Sequence, residues 1–107
     1  MDTLRKKYTK SARKDPAKTL HLAEDQLRRG LITEGLLMLE VLHEVHPDRL
    51  DILHRLGVAL IQNERFQTGV GVWKKILRRS AKEASSHSNL GVALAKSGAI
   101  DRAAHQP

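Results

Sequence analysis

The chain has 107 residues, a net charge of +7 and a pI near 10.2, so it is one small domain's worth of protein whose charge favours acidic partners. It has no cysteine, which excludes a disulfide framework and thiolate chemistry. No apolar run approaches the roughly 20 residues of a membrane-spanning helix, and residues 1–14 lack the apolar stretch of a secretory signal. A soluble, cytoplasmic protein is the expectation.

In chain order, residues 1–14 form a basic N-terminal arm, with Arg5, Lys6, Lys7, Lys10, Arg13 and Lys14 against a single acid, Asp2. Such a run either docks on nucleic acid, anionic lipid or an acidic protein, or serves as a solvated leader, and Tyr8 alone is a poor stacking platform. Asp15-Pro16 reads as an N-cap followed by proline at the first helical position. Leu20, Leu22, Ala23 and Leu27 give that helix an apolar face, and Gly30 supplies its left-handed stop. Thr33 is placed to cap a second helix carrying Leu36, Leu39, Val41, Leu42 and Val45, which ends at Pro47.

Asp48 and Asp51 place acids at the start of the next helix, where the macrodipole favours them, and Asn63 ends it. Thr68-Gly69-Val70-Gly71-Val72-Trp73 would pass for a strand if read alone. It is followed by Lys74, Lys75, Arg78, Arg79 and Lys82, a basic cluster larger than helix capping needs. A further helix starts near Ser85-Ser86, stops at Gly98 and gives way to another at Ile100-Asp101.

Periodicity overrules the strand reading. Leu56-Gly57-Val58-Ala59-Leu60 returns as Leu90-Gly91-Val92-Ala93-Leu94, 34 positions later. Leu22 is in phase with Leu56 and Leu90, Ile32 with Phe66 and Ile100, and Gly35 with Gly69 and Ala103. The pattern resembles the tetratricopeptide repeat (TPR), a 34-residue helix–turn–helix unit. Leu56-Gly57, Gly69, Trp73 and Ile76 carry the likeness in one copy, and Leu22-Ala23, Gly35, Leu39, Leu42 and Pro47 in another. The family's first-helix tyrosine is replaced by Gln26, Leu60 and Leu94, and Ala81 stands where a second proline is expected.

The resemblance implies an all-α protein, a right-handed α-solenoid of antiparallel helix-turn-helix repeats comprising about two and a half to three TPR units. The repeat domain spans 15–107, with copies at about 16–49, 50–83 and 84–107, the last incomplete. Gly69 takes the small-residue position where two helices approach closely, and Trp73 the large position one turn on. An unfinished third copy leads us to expect either a longer array or an open end covered by another molecule, self-association among the possibilities.

In that family the first helices line a concave groove that binds a peptide segment or partner protein. Carried over by position, the groove residues are Leu20, His21, Glu24 and Arg28 from the first copy and Asp51, His54, Arg55, Val58 and Gln62 from the second. The third contributes Ser88, Asn89, Val92 and Lys96. A chaperone-tail clamp of lysines and asparagines is not reproduced, since Leu20 and Glu24 stand at its first positions. The resemblance thus points to a protein-interaction scaffold or adaptor. The alternative is a basic module that binds nucleic acid or an anionic surface through residues 1–14 and 74–82.

Catalytic chemistry finds no foothold in the sequence. No phosphate loop, nucleophile elbow or zinc-hydrolase pattern occurs, so the expectation is a protein that is not an enzyme and needs no cofactor. His43 and His46, with His54 nearby, are the only suggestion of a metal site, and without cysteine or a fixed carboxylate the expected metal content is none.

Overall fold

The computed structural model describes the backbone of residues 2–105 and the side chains of residues 3–98. Over that span the chain is all-helical, with α1 (Asp2–Lys14), α2 (Pro16–Arg28), α3 (Ile32–Val45), α4 (Leu50–Gln62), α5 (Phe66–Arg79) and α6 (Ala84–His105). Among the described residues there is no strand, and residues 68–73 lie inside α5. None of these helices is long and apolar enough to cross a membrane. Each helix packs on the next from α2 to α6, and α1 packs on both α2 and α3.

The basic stretch is not a solvated leader. Leu4, Tyr8 and Ala12 recur every fourth residue, so on a helix they form one stripe. Tyr8 and Ala12 are buried in the shared core, with Leu4 packed against it. The chain then bends at Asp15, whose backbone leaves the helical region while its carboxylate accepts from the Lys18 N–H at 3.1 Å. Pro16 follows at the first helical turn. Thr19 is fully buried at this bend, where its hydroxyl meets Ser11 Oγ and the Asp15 carbonyl, both at 2.8 Å. Leu22, expected on the apolar face of α2, is instead 45% exposed, because α2 turns the Thr19–Ala23 side inward.

Helix α2 stops at Gly30 (φ +84°), with Gly30 N–H donating to Leu27 and Leu31 N–H to Gln26. Helix α4 stops in the same way 34 residues later, but there the left-handed residue is Glu64 (φ +60°). Its N–H donates to Ile61 and that of Arg65 to Leu60. Gly98, one more period along, stops nothing: α6 runs through it unbroken, so the separate helix expected at Ile100-Asp101 does not exist. The side chains of Ile100 and Ala103 lie outside the described residues. Glycine permits the left-handed conformation without imposing it.

Two further expectations are corrected. Thr33 does not cap α3, which starts at Ile32 after Leu31 with no side-chain cap bond. Gly69 is buried but is not the close approach, since a Cβ there would sit 3.7 Å from Leu60, an ordinary contact. The tight positions are Gly57, where a Cβ would lie 2.7 Å from the Trp73 ring, and Gly35, where it would lie 2.6 Å from Leu27. Trp73, Ile76, Leu53, Ile52, Leu39 and Leu42 are the large side chains at the centre.

A candidate cleft between the second and fourth helices

Gly35 and Gly57 set the geometry of this cleft. The space Gly35 leaves is filled by Leu27, and the space Gly57 leaves is filled by the Trp73 indole. Trp73 in turn meets the edge of His54, ring centroids 5.1 Å apart and planes at 87°. Leu27 and His54 thereby become fixed walls of one open cleft of about 740 Å3.

Leu27, Leu39, Leu50, Val58 and Ala59 make its apolar floor, and Glu24, Arg28, Asp51, Arg55, Gln62 and Glu83 bring polar groups to it. Arg55 of α4 pairs with Glu24 of α2, joining the two helices across the cleft. At the start of α4, Arg49 donates to both Asp51 oxygens, at 3.1 and 2.6 Å. That bond holds the Asp51 carboxyl below its ordinary range and raises the Arg49 guanidinium.

Some of the positions carried over by register come together in this cleft and others do not. Glu24, Arg28, Asp51, His54, Arg55, Val58 and Gln62 converge on the cleft. Leu20 and His21 do not line it: Leu20 packs against the core and His21 is exposed. Ser88, Asn89, Val92 and Lys96 lie on α6 outside it, and Ser80 with Glu83 in the α5–α6 connection lines it instead. The floor residues were missed as site residues because an apolar helix position reads as core. Leu27 carried a signal all the same, since it lies one turn from Glu24 and next to Arg28.

The three histidines considered for a metal have separate surroundings. His46 Nε2 donates to the Ala12 carbonyl at 2.9 Å, His43 Nε2 lies 3.3 Å from Lys75 Nζ, and His54 faces Trp73. Burial, followed by the Lys75 and Arg79 charges, lowers the His43 pKa against the smaller opposing pull of Glu44. Among the described residues, the buried Nδ1 of His43 and Nε1 of Trp73 have no hydrogen-bond partner. Of the basic patch residues, Lys74, Lys75, Arg78 and Arg79 lie on α5, Lys82 follows it, and Arg5, Lys6, Lys7, Lys10, Arg13 and Lys14 lie on α1. Comparison with known proteins adds nothing to the site: no protein-family model and no curated protein matches this chain.

Proposed function

We propose that the chain is a TPR-like solenoid whose α2/α4 cleft binds a peptide segment of another protein, making it a scaffold or adaptor rather than an enzyme. The observation that carries this reading is the cleft itself, an apolar floor with charged groups of both signs at its edge. An extended or helical peptide can bury apolar side chains on such a floor while its polar groups meet the rim. The 34-residue recurrence supports the solenoid: Tyr8, Leu42 and Ile76 are in phase and all buried, and Gly30 and Glu64 are in phase and end α2 and α4 alike.

The test is selection of binders from a random-peptide library, followed by fluorescence polarisation with the selected peptide. Val58→Glu puts a charge on the apolar floor and is expected to weaken binding at least about tenfold, which is about 1.4 kcal/mol. Val92→Glu on α6 is expected to leave affinity unchanged. An empty selection, or equal affinity for the wild type and Val58→Glu, contradicts the reading.

A further inference from the structure

Arg5 of α1 lies about 70 positions in sequence from Lys75 and Arg79 of α5, yet all three meet residues at or just past the C-terminal end of α3. Arg5 of α1 donates to both carboxylate oxygens of Glu44, at 2.6 and 2.7 Å. From α5, Lys75 meets His43 and Arg79 donates to the Pro47 carbonyl. Along α1, Lys6, Lys10, Arg13 and Lys14 continue from Arg5 and, with Thr9, line a furrow of about 560 Å3. Among the described residues, these four cations, together with Lys74 and Arg78 of α5, meet no carboxylate. So many uncompensated like charges oppose folding through mutual repulsion.

We propose that this α1–α5 face binds the sugar–phosphate backbone of a nucleic-acid duplex without reading its sequence. Lys and Arg side chains neutralise backbone phosphates and release their counterions whatever the base sequence, which is the interaction a run of uncompensated cations offers. Tyr8 and Trp73 are buried and Phe66 is half-buried at the opposite end of α5 from Lys74 and Arg78, so these cations have no aromatic platform beside them, which disfavours a single strand. Insertion into a membrane would need an apolar side of α1, and Leu4, Tyr8 and Ala12 are already packed into the core. Binding of an acidic protein is the competing outcome that the experiment below separates. The face shares no residue with the α2/α4 cleft, so the two proposals stand or fall separately.

The experiment is fluorescence anisotropy on the full chain with labelled random-sequence DNA and RNA duplexes of about 20 base pairs, titrated over roughly 50–200 mM salt. Parallel arms use phosphatidylserine-containing vesicles and a poly-glutamate peptide. Duplex binding is expected to show a negative slope of log K against log salt. The triple variant Lys6→Gln, Lys10→Gln, Lys14→Gln is expected to flatten that slope by about 2–3, and Lys74→Gln with Arg78→Gln by about 2. These positions are exposed, and circular dichroism checks that the helices persist. Val58→Glu should leave the duplex isotherm unchanged. Absence of duplex binding at roughly 50 mM salt, a slope indifferent to both sets of variants, or tighter binding to vesicles or poly-glutamate overturns the proposal.

Discussion

The pentapeptide Leu-Gly-Val-Ala-Leu occurs twice, in two environments. At 56–60, Leu56, Ala59 and Leu60 are almost wholly buried, and Gly57 is pressed against the Trp73 ring. At 90–94 only Ala93 is buried; Val92 and Leu94 are 43% and 48% exposed, and among the described residues no atom beyond the helix's own backbone and the adjacent residues stands within 4 Å of where a Cβ on Gly91 would be. The difference lies in the neighbours. Helix α4 packs between α3 and α5, whereas the packing of α6 is against α5. Identical letters therefore carry different energies: the pentapeptide of α4 is part of the core, and that of α6 lies at its edge.

The largest effect expected from this contrast is at Trp73. Trp73→Ala empties the site under Gly57 and should cost about 3–5 kcal/mol, whereas Leu94→Ala on α6 should stay within about 0.5 kcal/mol. Urea denaturation of the two variants measures both, and comparable losses would erase the contrast. Next come the two glycines. Gly57→Ala drives a methyl into the indole and should cost about 1–3 kcal/mol, while Gly91→Ala, with open space around it, should stabilise by up to about 1 kcal/mol through helix propensity. Thermal melts give the signs directly.

A gain of the same order is expected at Glu64, which holds the left-handed conformation that Gly30 adopts in phase with it. Glu64→Gly relieves a backbone cost of about 1–2 kcal/mol, offset in part by the entropy of glycine, so a net stabilisation of up to about 1 kcal/mol should raise the melting temperature. Gly98, which is helical, has no such strain to relieve, and a gain on Gly98→Ala would come from helix propensity as at Gly91.

The slightest expected effect is with pH. Burial and the Lys75 and Arg79 charges lower the His43 pKa in the folded state, so the unfolded chain takes up this proton first as the solution is acidified. The His43 contribution to stability is accordingly present above the ordinary histidine pKa of about 6.5 and is lost as pH falls below it. Denaturation at pH 7 and pH 5 should show a smaller loss in His43→Gln than in the wild type.

How far the sequence discloses this structure depends on what each residue type announces. The 34-residue phase was legible in the pentapeptide, and the Asp15-Pro16 start and the Gly30 stop were legible because those residues have narrow backbone preferences. Glu64 announces nothing of the kind; the fold imposes its conformation. Gly98 misleads for the opposite reason, since glycine is compatible with a stop and with a continuing helix. Helix α1 was hidden by its charges, although Tyr8 lies in phase with Leu42 and Ile76 and marks a packed stripe. In the cleft, the α4 positions followed from register, but register alone extended the groove onto α6, whereas Ser80 and Glu83 line it.

The central proposal is that partner binding belongs to the cleft built by α2 and α4 and not to α6. Its most direct test is a titration of the 15N-labelled chain with the library-selected peptide, followed by amide chemical shifts. Shift changes concentrated at Glu24, Leu27, Arg28, His54, Arg55 and Val58, with Ser88, Asn89, Val92 and Lys96 unmoved, are the predicted result. Changes concentrated on those four α6 residues, with the cleft residues silent, would contradict it.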